Sequence, residues 1–221
     1  MLFCRKKFSP ALKTEFSGLH LETPLGVRVQ GDSPSLARKM QRSRPGFMTL
    51  FPPKEGILGW IESLHALHLD TVLAMNLRHD IARSFSLVYD FPDLIIIEPE
   101  AVPSTPEVPE ITDLLDELLS LRLCYERYTP VFLRIPNGLG PDEVAPLLGY
   151  CQLAGVDGVL VSGPAKARFA REHTQGRLPV IATADNYEEA LSLALDGFPV
   201  ETTLSPFARV KILKSLEKQK Q

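Results

Sequence analysis

The chain has 221 residues, 44% of them hydrophobic, with a mean hydropathy of +0.01, enough to bury a full core at a length that favours one domain over two. A net charge of −3 and a pI of about 6.0, with lysines and arginines scattered except at Arg5–Lys7 and Lys214–Lys220, leave no basic field for nucleic acid. No apolar run approaches the roughly 18 residues of a membrane span and the first residues lack a signal-peptide core, so the expectation is a cytoplasmic protein with no membrane partner.

From Gly26 onward the chain repeats one grammar of β-branched apolar run, polar turn and amphipathic helix. Gly26–Val29 leads to Pro34–Arg42, Phe47–Leu50 to Gly56–Leu67, Thr71–Met75 to Leu77–Val88, and Leu94–Ile97 to Glu107–Tyr125. The second half repeats it: Val131–Arg134 to Pro141–Leu153, Gly158–Ser162 to Pro164–His173, Val180–Thr183 to Asn186–Asp196, and Val200–Thr203 to Ser205–Lys218. Strands alternating with helices predict a parallel sheet with right-handed crossovers, and eight units close a (β/α)₈ barrel of the TIM type. An open doubly wound sheet of six or seven strands is the structural alternative. Such barrels average about 250 residues because the loops after each strand are lengthened to build a site. Here the connections are short, apart from the proline- and carboxylate-rich stretch 99–109, which cannot be regular structure and reads as a lid or a solvated connector.

Several polar residues invite a chemical reading. Glu98 and Glu100 point the same way by the period of an extended segment, and with Arg134 they are candidate catalytic residues or a cation site. No third ligand accompanies them, so no metal is expected. His65 and His68 are spaced to chelate, but they lie among leucines on an outer helix, where a structural role suffices. Cys4, Cys124 and Cys151 are odd in number and widely spaced, as reduced thiols are. Trp60 belongs to an apolar helical stripe with Ile57, Ile61 and Leu64. The helix Leu114–Tyr125 is apolar on more than one face, which favours a homodimer.

The segments GLHLETPLGVRVQGDS (18–33), DFPDLIIIEPE (90–100), YTPVFLRIPNGLGPDEV (128–144), AGVDGVLVSGP (154–164) and RLPVIATADNYEEALSLALDGFPVETT (177–203) occur in an order that resembles the dihydroorotate dehydrogenase family. That resemblance spans nearly the whole chain. It implies a short N-terminal hairpin over about 14–25 before the first barrel strand, and an FMN-dependent barrel that oxidises dihydroorotate in pyrimidine biosynthesis, with flavin and substrate at the C-terminal face. Carried over by position, it implies cofactor contacts at Gly31, Arg134, Ser162, Gly163, Thr183, Asp185 and Asn186, with Asn76 as a further polar contact if a flavin binds.

The chain departs from that pattern where the chemistry should be. The family's substrate-binding amides after the fourth strand are replaced by Glu98, Pro99 and Glu100, which would repel an anionic substrate. Its flavin-facing lysine is matched by Arg134. A glycine pair that grips phosphate is matched by Thr183–Asn186, where Asp185 brings negative charge, and the small residues beside the flavin by Arg28–Gly31. Two main readings follow. In one, the barrel has lost its flavin and orotate sites and serves a binding or regulatory role, with no cofactor and at most a small anionic ligand. In the other, it is an active FMN-dependent oxidoreductase with an unusual pocket. A barrel enzyme without flavin is a third class. If the site is filled, Arg134→Ala should leave folding nearly unchanged.

Overall fold

A computed structural model describes residues 12–31, 33–99 and 105–219. Eight parallel strands close into a barrel in the order β10-β3-β4-β5-β6-β7-β8-β9. They are β3 (Leu25–Arg28), β4 (Phe47–Leu50), β5 (Val72–Leu77), β6 (Leu94–Ile97), β7 (Val131–Arg134), β8 (Gly158–Ser162), β9 (Val180–Thr183) and β10 (Val200–Thr202). After them in turn come α1 (Pro34–Gln41), α2 (Ile57–His65), α3 (Ile81–Val88), α4 (Val108–Arg122), α5 (Pro141–Ala154), α6 (Pro164–His173), α7 (Tyr187–Leu195) and α8 (Pro206–Gln219). The expected (β/α)₈ barrel is therefore the fold, and the open doubly wound sheet is excluded by the β10–β3 pairing. A two-stranded hairpin, β1 (Thr14–Phe16) and β2 (Leu19–Leu21), precedes it.

Alternation along each strand decides what faces where. Phe47, Ala74, Leu94, Ile96, Phe132, Leu160 and Ile181 fill the barrel interior, joined from below by Leu21, Phe16 and Leu19 of the hairpin. Met48, Met75, Ile95, Ile97, Leu133, Val159 and Val161 face the other way and pack under the helices. Glycine makes room for the interior rings: a Cβ on Gly26 would lie 2.2 Å from Phe47 Cζ, and one on Gly158 would lie 2.4 Å from Phe132 Cε2.

One boundary differs from expectation with a consequence for function. The third barrel strand was expected to stop at Met75 with a helix from Leu77, yet β5 continues to Leu77, which pairs with Ile97 and is 1% exposed. Asp80, at φ +43°, then makes the turn into α3. Asn76 thus sits in the strand on its inward face.

Helix starts are fixed locally. Glu110 Oε2 accepts from the Glu107 backbone N–H at 3.0 Å, and Glu143 Oε2 from that of Gly140 at 2.9 Å, so the first turns of α4 and α5 carry their own acceptors. Among the described residues no helix is long and apolar enough to cross a membrane.

Candidate functional site

Continuing the inward positions of the strands one step past the apolar interior, toward their C-terminal ends, brings in Arg28, Thr49, Asn76, Glu98, Arg134, Ser162, Thr183 and Glu201. The switch from apolar to polar at this layer marks the barrel mouth, where enzymes of this architecture place their chemistry.

The mouth is organised by charge. Glu201, fully buried, accepts from Arg28 Nε at 3.0 Å, Arg28 Nη2 at 2.6 Å and Arg134 Nη2 at 2.8 Å. Arg134 reaches on to Glu98, with Nε 3.3 Å from Oε2, and the same oxygen accepts from Arg78 Nε at 2.9 Å and from Asn76 Nδ2. The result is an alternating chain, Arg28–Glu201–Arg134–Glu98–Arg78, across the opening. Arg78 also lays its guanidinium over the Phe51 ring, 4.3 Å from the centroid.

Burial alone would push the Glu201 carboxyl up. The guanidinium of Arg134, then that of Arg28, outweighs burial and holds the carboxyl below its ordinary value. The Thr49 hydroxyl faces the same carboxylate and adds to the effect, although its geometry falls short of a full hydrogen bond. For Arg28 burial acts downward, and Glu201 reverses it to raise the guanidinium pKa. Both groups are charged throughout the physiological range. Three buried polar atoms of this layer, Thr49 Oγ1, Asn76 Oδ1 and Arg134 Nε, have no hydrogen-bond partner among the described residues.

Above the chain opens a cavity of about 450 Å³, walled by the three arginines, Glu98, Ser162, Thr183 and Asp185, with Thr105, Asn137 and Gly138 on the α4 and α5 side. Thr183 Oγ1 donates to Ser162 Oγ at 3.2 Å. Asp185, exposed at the rim, accepts from Thr203 Oγ1 at 2.7 Å.

Six residues expected from sequence meet here: Glu98, Arg134, Asn76, Ser162, Thr183 and Asp185. Gly163 stands beside them, its N–H donating to Thr183 O at 3.1 Å as it turns into α6 with φ +79°. Asn186 faces a different task, since its side chain caps α7 by accepting from the Glu189 N–H at 2.9 Å. Gly31 lies exposed in the loop before α1 and is not among the residues that wall the cavity. Glu100 lies outside the described residues, as do Cys4 and the rest of 100–104 within the stretch 99–109. His65 and His68 are exposed with ring centroids 6.5 Å apart, and among the described residues no group of three or more His, Cys, Asp or Glu is placed to hold a metal.

Sequence reading missed Glu201 and Arg78. The available signal for Glu201 was a single carboxylate inside an apolar β-branched run, VETT, at an inward position. A lone buried acid of that kind demands a cation.

No protein-family model matches this sequence, and neither does any curated protein. Solved structures do match in fold. Dihydroorotate dehydrogenase from Eimeria tenella in complex with ferulenol superposes with a TM-score of 0.79 at 14% identity, covering 98% of this chain and 86% of that one. The ligand-free enzyme from the same organism gives 0.74 at 14% identity, covering 99% and 89%. A truncated 3-deoxy-D-arabino-heptulosonate 7-phosphate synthase from Thermotoga maritima gives 0.61 at 11% identity, covering 94% and 91%. At these identities what is shared is the barrel, and this chain has a dihydroorotate-dehydrogenase-like fold.

Proposed function

We propose that this chain keeps a dihydroorotate-dehydrogenase-like barrel whose flavin and orotate sites have been replaced, and that its mouth serves a binding or regulatory role toward a small polar ligand. The observation that carries this reading is the wholly buried Glu201, clamped between Arg28 and Arg134.

The residues do not fit FMN. Family resemblance puts small residues at the end of the first barrel strand, where a flavin ring would lie, and here Arg28 occupies that position and is tied to Glu201. The flavin-facing lysine is matched by Arg134, bound to two carboxylates at once, so turning it to a ring would leave Glu201 and Glu98 buried or half-buried with fewer partners. On the phosphate side, the Ser162 and Thr183 hydroxyls bond each other, and Asp185 presents a carboxylate at the same rim. A phosphate dianion there would meet like charge. The fourth-strand position that resemblance gives to substrate-binding amides holds Glu98, an acceptor already committed to Arg78 and Arg134, so it offers orotate no donor.

The second reading, an active FMN-dependent oxidoreductase, draws on the open volume above the arginines and on the Ser162–Gly163 entry to α6. The two are separated by the visible absorption spectrum of the purified protein and by titration with FMN while flavin fluorescence is followed. A colourless protein that leaves flavin fluorescence unchanged is expected. A yellow preparation, or saturable micromolar binding, would reject the replaced-site reading and call for dihydroorotate as electron donor.

A further inference from the structure

We infer that the mouth is shaped by charge for a zwitterion, an α-amino acid in its ordinary ionic state, with its carboxylate on the arginine side and its ammonium on Asp185. This rests on the reading that no flavin occupies the mouth.

The inference follows from how the charged groups of the cavity are engaged. Three guanidinium groups and three carboxylates are present, so the site as a whole favours neither a net anion nor a net cation. They are not evenly paired. Glu201 is held by two arginines below the cavity, and Glu98 is shared by Arg78 and Arg134. Asp185 differs: its hydrogen-bond partner is the neutral Thr203 hydroxyl, and its charge reaches Arg28 only at longer range, with no direct ion pair to it among the described residues. The rim therefore carries an acid with no cation bonded to it directly.

On the other side, donors are in excess. Arg28 and Arg78 keep 22% and 39% of their side chains exposed while lining the cavity. Arg134, 8% exposed, lines the same wall but buries its Nε against Glu98 Oε2 at 3.3 Å, so the donors open to the cavity are those of Arg28 and Arg78. Guanidinium groups with N–H to spare recognise carboxylate oxygens. A simple anion would satisfy them but would approach Asp185. A simple cation would satisfy Asp185 but would face the arginines. A ligand carrying both charges on one small frame meets each wall with the opposite sign. The Ser162 and Thr183 hydroxyls and Asn137 add neutral polar contacts.

The test is a thermal-shift panel of the twenty standard L-amino acids on the full chain. Titration calorimetry then compares the best binder, its N-acetyl derivative and its carboxamide. At least one amino acid should stabilise the protein, and each derivative, lacking one charge, should bind about tenfold or more weaker. Asp185→Asn, at an exposed loop position, should weaken the amino acid by a similar factor while narrowing the gap to its N-acetyl form. Arg78→Gln should weaken the amino acid too. Silence across the panel overturns the inference, as does an N-acetyl or carboxamide derivative that binds as tightly as its parent. FMN titration on the same preparation separates the failures: if neither FMN nor any amino acid binds, only the zwitterion assignment falls, whereas saturable FMN binding removes the reading beneath it.

Discussion

Glu201 Oε2 lies 2.8 Å from Arg134 Nη2, in a pair where the acid side chain is wholly buried and the arginine side chain is 10% exposed. A carboxylate in that setting is tolerable only while its cations stay in place, because the cost of desolvating the charge is set against them alone. Glu201→Gln keeps the shape and removes the charge, leaving Arg28 and Arg134 facing a neutral amide. Loss of about 3–5 kcal/mol of folding stability is expected, the scale for breaking one side of a buried pair, and urea denaturation measures it. Arg134→Ala should cost a similar amount, against the sequence-based expectation of near-neutrality, since it strips Glu201 and Glu98 together. Losses under about 1 kcal/mol, the surface-pair range, would mean the chain of charges is not structural.

The same carboxylate gives the protein an acid limit. Glu201 is held below its ordinary pKa when folded, so the folded state prefers it ionised relative to the unfolded chain, where a glutamate titrates at about 4.3. Its contribution is fully present above that value and is lost as pH falls toward the lower folded pKa. Melting temperature should hence be flat in this respect from neutrality to about pH 5 and fall below it, and the Glu201→Gln protein, though less stable at pH 7, should show a shallower fall. Equal slopes for both proteins would assign the acid limit to other groups.

Inside the barrel, Gly158 acts by the absence of a side chain. A Cβ on Gly158 would stand 2.4 Å from Phe132 Cε2 and 2.7 Å from the Pro179 carbonyl, contacts that a backbone oxygen cannot relieve by rotating away. Gly158→Ala should destabilise by about 1–3 kcal/mol as overpacking. The contrast is Gly149, on α5, where an added Cβ meets nothing within 4 Å. There alanine should stabilise by several tenths of a kcal/mol through helix propensity. Denaturation of the two variants in parallel checks the sign of each.

The eight-unit grammar was legible in the sequence because alternation and helical periodicity are local signals, and strand ranges such as Leu94–Ile97 and Val131–Arg134 match residue for residue. Where the reading slipped, at Thr71–Leu77, a polar Asn76 interrupts an apolar run and looks like a strand end. Only the neighbouring strand shows that its backbone is still paired, through Asn76↔Ile96. Of the mouth, the polar residues at strand ends were visible one by one. Their pairing was not, because Arg28 and Glu201 are 173 positions apart and meet only when β10 closes on β3. Asn186 shows the converse: a family position suggested a ligand contact, while the local sequence NYEE already described a cap with its acceptor three residues before Glu189.

At the opposite end of the barrel, the hairpin acts as a floor. Leu21 is 3% exposed and packs with the interior cluster, and the Phe16 ring stands 5.6 Å from that of Phe132 in a tilted contact. Phe132 is the ring for which Gly158 makes room, so hairpin and barrel share one packed column. Leu21→Ala should cost about 2–5 kcal/mol, with Phe16→Ala nearer the low end because that ring is only half-buried. The two residues serve one interior cluster, so their double variant should be less destabilised than the sum of the singles. Additive losses would show that the hairpin packs as two independent contacts. Amino-acid binding at the mouth should be unaffected by Phe16→Ala, because the apolar layers of Phe132, Leu160 and Ile181 lie between floor and site.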